Sequence, residues 1–323
     1  MGEFDLIARY FERAQQAPGV TAGVELGIGD DCAVLAPRPG MQWLVSSDML
    51  VEGRHFLSTV DPVRLGHKAL AVNLSDLAAC AAAPRAFTLA LALPRVDEAW
   101  LAGFAQGLFA LADEHGIALV GGDTTQGPLN LCITVMGEAP AGAALLRSGA
   151  RVGDDVYVSG TLGDARLALE VFRGKLRLSG DAFEQVRRAM ECPQPRVALG
   201  QALRGLATSA IDVSDGLLGD FGHILRRSRV GATLDADALP RSAVLDAQPL
   251  AFRREMGLAG GDDYELVFTA PVAMRDAVAQ AARAVHTPVT RIGVIEAEPG
   301  LRLVDGAGAP MDTRYASFDH FKS

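Results

Sequence analysis

The sequence lacks most of the features that announce a redox, membrane or nucleic-acid protein. Its 323 residues contain four cysteines, Cys32, Cys80, Cys132 and Cys192. No two form a C-x-x-C pair, and each sits among apolar or small residues. That pattern argues against a zinc site or a disulfide framework and for free thiols in a reducing compartment. There is no run of Lys or Arg, and the net charge is −9, so neither nucleic acid nor an anionic membrane is an expected partner. A phosphorylated substrate stays open, because metal ions supply positive charge locally. The longest apolar stretches are alanine-rich and broken by Asp, Pro or Gly, short of the roughly 20 residues that span a bilayer. The start, Met1-Gly2-Glu3-Phe4-Asp5, lacks the basic residues of a secretion signal, and Leu6 breaks the myristoylation pattern. These absences predict a cytoplasmic location. Nucleotide signatures are missing too. Gly174-Lys175 is followed by Leu176 rather than Ser or Thr, and there is neither a kinase-type glycine-rich loop nor a Rossmann fingerprint.

What is present suits a two-domain globular chain. Its length exceeds one core, and 49% apolar with 21% charged residues is ordinary for a folded protein. Hydrophobic periodicity predicts helices over 4–15, 61–79, 97–115, 163–172, 181–191, 195–207, 217–229 and 272–285. Asp61-Pro62 supplies an N-cap and a first-turn proline, and Gly116 a stop. Strands are expected near 20–26, 31–36, 42–47, 86–93, 117–120, 129–135, 154–159, 210–211, 231–235, 265–269, 290–296 and 301–304. Mixing of both periods implies α/β or α+β domains. The boundaries expected are an N-terminal domain over 1–140, a linker rich in Ala, Gly and Pro over 141–149, and a C-terminal domain over 150–323.

Aspartates flanked by Gly or Ser recur where strands are expected to stop. They are Asp30 and Asp31, Asp48, Asp123, Asp212 and Asp215, and Asp262 and Asp263, with Asp76 three residues after Asn73 on a predicted helix. One such turn is ordinary surface. Five, in G-D-D, S-S-D, G-G-D-T-T, D-x-S-D-G and G-G-D-D-Y contexts, suggest carboxylates brought together around cations, since like charges otherwise repel. Magnesium, with its oxygen ligands and its affinity for phosphates, is the simplest ion for them.

The ordered motifs Gly27-Ile28-Gly29-Asp30-Asp31, Ser47-Asp48-x-x-Val51-Glu52-Gly53-x-His55-Phe56, Asn73-x-Ser75-Asp76, Gly121-Gly122-Asp123-Thr124, Asp212-x-Ser214-Asp215-Gly216 and Gly261-Asp262-Asp263-Tyr264-Glu265 resemble the thiamine-monophosphate kinase family. That family lies within the aminoimidazole ribonucleotide synthetase-like superfamily, and the likeness runs from the first helix to the tail Phe318-Asp319-His320-Phe321. The resemblance implies an N-terminal domain with a mixed sheet that pairs across a homodimer, followed by a C-terminal α/β domain. It implies direct, magnesium-assisted transfer of the ATP γ-phosphoryl group to thiamine monophosphate. Asp30, Ser46, Ser47, Asp48, Asp76, Asp123, Asp212 and Asp215 would hold several magnesium ions. Gly122, Asp123, Arg147 and Ser214 would contact ATP. His55, Asp262, Asp263 and Phe318 would contact the thiamine phosphate, and Asp48, Asp123, Arg147 and Asp212 would carry the transfer. Asp31 acquires no role. The family has Gly-Gly-Glu-Asp-Tyr where this chain has Gly260-Gly261-Asp262-Asp263-Tyr264, which leaves open which acid meets the substrate. Alternatives are another ATP-dependent synthetase of the superfamily, ring-closing or selenophosphate-forming, or a non-catalytic metal-binding protein of the same fold. Cys32, placed after the aspartate pair, lacks the setting of a selenophosphate enzyme's reactive residue.

Overall fold

The computed structural model describes residues 3–13, 23–312 and 315, which form two compact units that meet in sequence at Gly142/Ala143, with Ala78–Ala81 counted in the second. The first unit comprises α1 (Glu3–Tyr10), β1 (Val24–Leu26), β2 (Val34–Leu35), β3 (Met41–Val51), α2 (Pro62–Ala79), β4 (Ala83–Leu93), α3 (Glu98–His115), β5 (Ala118–Gln126) and β6 (Asn130–Pro140). Helix starts follow local chemistry. Asp61 accepts from the Val63 and Arg64 amides ahead of α2, and Asp97 from Trp100 N ahead of α3. Gly116, left-handed at φ 60°, ends α3.

The four long strands form one mixed sheet in the order β3-β6-β4-β5, antiparallel except for the parallel pair β4–β5. The helices α2 and α3 pack closely, because a Cβ on Gly107 would lie 1.8 Å from Val63 O and one on Gly66 2.1 Å from Phe104 O. Leu65, Leu70, Leu74, Phe87, Phe104, Leu108, Ile133 and Val135 fill this core.

The second unit comprises β7 (Asp155–Ser159), α4 (Asp164–Phe172), α5 (Gly180–Glu191), α6 (Val197–Ala202), β8 (Ser209–Asp212), α7 (Leu217–Ser228), β9 (Gly231–Asp235), α8 (Ala243–Asp246), α9 (Leu250–Ala259), β10 (Leu266–Ala270), α10 (Arg275–Ala284), β11 (Val289–Glu296), β12 (Gly300–Val304) and β13 (Pro310–Met311). Its seven-stranded sheet runs β13-β12-β9-β11-β7-β10-β8, with β12–β9 as the parallel pair. Val156, Val158, Ile211, Phe221, Ile224, Leu234, Val267 and Ile292 make its main core. A smaller core gathers Leu167, Val186, Met190, Leu245 and Met256 under α4, α5, α8 and α9.

Element types follow the sequence reading, but two placements differ. Ser46, Ser47 and Asp48 lie inside an eleven-residue strand, paired in register with Val135, Thr134 and Ile133, not at its end. Gly121 to Thr125 likewise continue β5 beside β4. Pairing partners and burial on one face override the poor strand propensity of Ser, Asp and Gly. The segment expected as a helix over 195–207 is helical only over Val197–Ala202, and that over 4–15 ends at Tyr10. No helix among the described residues is long and apolar enough to cross a membrane.

Candidate active site

The alternation of β3 sorts its motif onto two faces. Val45, Ser47 and Met49 face outward; Val45 is 63% and Met49 55% exposed. Ser46, Asp48 and Leu50 face α2. Asp48 N–H donates to Asn73 Oδ1 at 3.1 Å, and Ser46 Oγ donates to Asp76 Oδ2. Asn73 Nδ2 in turn donates to Ala69 O. Asp76 is the one residue between Lys68 and Ala79 that is not buried, so the polar edge expected on this helix is where α2 meets β3. Ser46, Asp48, Asn73 and Asp76 are thereby brought together. Ser47 is turned to the other face, where its hydroxyl meets Thr134 Oγ1 at 2.9 Å.

Asp123 is not part of that group. It pairs with Ala90, in the row Met49–Cys132–Ala90–Asp123, and is exposed. Asp48 and Asp123 thus project from opposite faces of strands at opposite edges, about 14 Å apart at ordinary strand spacing, so one ion cannot take both from a single chain. Gly122 has a structural reason to be glycine: its φ is +150°, and a Cβ there would lie 1.9 Å from Leu89 O. Asp30 is exposed, and its Oδ1 accepts from the Asp31 amide at 2.8 Å, a local turn that employs Asp31. His55 closes the turn after β3, its Nδ1 accepting from Val51 N–H at 2.9 Å.

In the second unit, Asp212 is the buried last residue of β8, opposite Leu266. Ser214 and Asp215 are half-buried in the turn that follows. The 260–264 loop is laid on this turn through Asp262 N–H to Ser214 O (2.7 Å) and Tyr264 N–H to Val213 O (2.9 Å). Asp262 and Tyr264 are both left-handed, at φ 71° and 52°. That backbone turns Asp263 inward. Its Oδ1 accepts from Gly163 N–H at 2.9 Å, and its Oδ2 is buried with no hydrogen-bond partner. Burial, with Glu265, Asp164 and Asp262 nearby, pushes the Asp263 carboxyl well above the usual range. Burial also raises Asp164, against a hydrogen bond from Ser242. Of the two candidate substrate acids, Asp263 is therefore an internal group. Arg147 is exposed, in a segment pinned to α7 by Ser228, whose hydroxyl accepts the Gly149 and Ala150 amides and donates to Arg147 O. Phe318 lies outside the described residues, as does the tail around it.

Two groups received no role in the sequence reading. Asp220 on α7 accepts the amides of Ser214, Asp215 and Gly216 on one oxygen. Burial raises it to about 7, against those donors. An acid in the first turn of the helix after D-x-S-D-G was the available signal. Glu265 is buried between Arg196 and Ser159, a pairing no local pattern announces.

Among the described residues no three His, Cys, Asp or Glu side chains gather in ligating geometry. The candidate donors nonetheless suit magnesium. They are all hard oxygens, and that ion ordinarily takes one or two protein carboxylates and completes its shell with water and phosphate.

Residues 29–139 match the family described as AIR synthase related protein, N-terminal domain, and residues 151–306 its C-terminal domain. The chain is 47% identical to the thiamine-monophosphate kinase of Salmonella typhimurium, over 99% of this chain and 98% of that protein. The crystal structure of thiamine-monophosphate kinase from Stenotrophomonas maltophilia K279a superposes with a TM-score of 0.84 at 45% identity, covering 95% of this chain and 96% of that one. AaThiL complexed with AMPPCP and TMP gives 0.78 at 27% identity, covering 88% and 89%. With near-complete coverage at these identities, the chain belongs to the thiamine-monophosphate kinase family.

Proposed function

We infer that this chain transfers the γ-phosphoryl group of ATP to thiamine monophosphate, yielding thiamine diphosphate, with magnesium as the metal. The similarity to thiamine-monophosphate kinases along the whole chain carries this reading. The acceptor is a phosphate monoester, already anionic near neutral pH, so no general base is needed. The barrier is repulsion between two sets of phosphate oxygens, and positioning with charge neutralisation is the protein's task. Bound magnesium supplies the charge that lets both phosphate groups approach in line. Asp48 and Asp76, with Ser46 between them, hold it on one edge of the first unit; Asp123 and Ser47 serve the other face, and Asp30 the turn before β2. Asp212 and Asp215 present further carboxylates in the second unit. Gly122, Ser214 and Arg147 contact ATP, and Arg147 steadies charge that develops in transfer. His55, held at the end of β3 by the Val51 N–H that its Nδ1 accepts, contacts the thiamine phosphate. Asp262 is the acid that meets that substrate, and Phe318 is the tail residue that the family resemblance assigns to it. Transfer is read as direct, because the anionic acceptor phosphate is itself the nucleophile toward the γ-phosphoryl group.

A homodimer fits the same reading. Its support is the long edge strand β3, with Val45 and Met49 bare on one face. A second copy also lets acids such as Asp48 and Asp123, held apart in one chain, serve a common site. The test is ADP release from ATP and magnesium with thiamine monophosphate, thiamine or aminoimidazole precursors offered in turn. Release confined to a non-thiamine acceptor sinks the reading. Asp48→Asn and Asp123→Asn should each lower kcat by about 100-fold or more with unfolding temperatures little changed. Near-normal turnover in both would remove these acids from the metal site.

A further inference from the structure

The turn after β8 is held from both sides. Val213 N–H donates to Glu265 O at 2.8 Å, while the carbonyls of Val213 and Ser214 accept from Tyr264 and Asp262. A Cβ on Gly261 would lie 2.4 Å from Ser214 O, so the 260–264 loop touches the turn backbone to backbone. On the other side the amides of Ser214, Asp215 and Gly216 converge on Asp220 Oδ2 at 3.0, 3.0 and 3.1 Å. Asp220 is 5% exposed, beside the buried Phe221.

Three successive N–H groups aimed at one point make a concavity of the kind that captures phosphates and other anions. Here the chain's own carboxylate fills it. Every amide N–H from 213 to 216 is thus used internally, and the turn has no backbone N–H left to offer a ligand. Ser214 and Asp215 are presented by a turn whose three amides all close on Asp220 Oδ2.

We propose that Asp220 is a positioning residue: its carboxylate occupies the anion cradle of residues 214–216, aims Ser214 and Asp215 at the nucleotide and its metal, and thereby holds the surface on which the substrate loop rests. This rests on the reading of Ser214 and Asp215 as nucleotide and metal contacts. Asp220 itself touches neither ligand.

The test combines kinetics with amide exchange. In Asp220→Ala, the KM for ATP and the magnesium concentration for half-maximal activity should each rise roughly tenfold or more, with Asp220→Asn intermediate. Sodium formate, a small carboxylate that fits the vacated cradle, should restore part of the activity of Asp220→Ala and none in the wild type. In the wild type the amides of 214–216 should exchange as slowly as those of β8. Rapid exchange there overturns the proposal whether or not the variants fold. Unchanged KM and magnesium requirement in folded Asp220→Asn, or activity lost only in proportion to folded protein, also overturns it. Ser214→Ala separates the two levels. If it behaves as wild type, the reading of the turn as a ligand contact has failed; if it is impaired while Asp220→Asn is not, only the cradle proposal has.

Discussion

At the scale of single residues, neighbours in sequence take opposite roles according to which way the backbone turns them. Asp262 and Asp263 are both acids in one G-G-D-D-Y motif, yet left-handed φ at 262 and 264 sends Asp263 inward to the Gly163 amide. No pattern of residue types encodes that rotation, because left-handed conformations at non-glycine positions are maintained by surrounding hydrogen bonds rather than by propensity. The burial has a consequence in pH. Asp263 is raised well above its usual value in the fold, whereas in the unfolded chain it ionises near 3.9. Between those values the folded state binds the additional proton. Stability is therefore fully present at low pH and falls as pH rises through the folded value, by up to about 1.4 kcal/mol per unit. Asp164, shifted the same way, adds to the slope. Asp263→Asn, which mimics the protonated form, should flatten it. Denaturant titrations of both proteins from pH 5 to 9 measure this, and parallel curves would refute it. Asp48, Asp76 and Asp123 were legible as acids of interest from their contexts. That Asp48 and Asp123 leave the sheet on opposite faces was not, because facing depends on strand register.

At the scale of elements, the capped helix ends of α2 and α3 were readable and the ends of β3 and β5 were not. Asp61, Asp97 and Gly116 act within a few residues of themselves, so local chemistry sufficed. Strands β3 and β5 run on through Ser, Asp and Gly because β6 and β4 hydrogen-bond to them, and those partners are distant in sequence. The α2–α3 contact shows the same dependence. In isolation Gly107→Ala would favour the helix by about 1 kcal/mol. In the fold its Cβ would meet Val63 O at 1.8 Å, and the two helices must separate to admit it. We expect Gly107→Ala to destabilise the protein by about 2 kcal/mol or more, seen as a lowered thermal midpoint. A raised midpoint would mean the helices do not approach this closely.

At the scale of the whole molecule, the exposed face of the first sheet is the feature with the widest consequence. Val45 and Met49 lie on one face of the same edge strand, on either side of Ser47, with most of their surface in solvent, which a monomer rarely tolerates over a large area. If this face joins two copies, Val45→Glu with Met49→Lys should convert a dimer to a monomer in light scattering. Kinase activity should fall with it, since Ser47 lies on the same face and Asp48 on the same strand. A wild type that is monomeric at micromolar concentration would remove the dimer from the account.

The sequence by itself determined the kind of elements and the family and singled out the candidate acids, because capping, periodicity and the Asp-Gly-Ser motifs are all local and ordered along the chain. Only the tertiary structure decided that Ser46 and Asp48 meet Asp76 while Ser47 turns away, that Asp123 stands at the far edge, that Asp263 is internal, and that Asp220 fills the cradle beneath Ser214 and Asp215. Each of these depends on strand register, on the path of a loop or on a hydrogen bond to backbone brought close by the fold, and such relations appear only when the partners are in place.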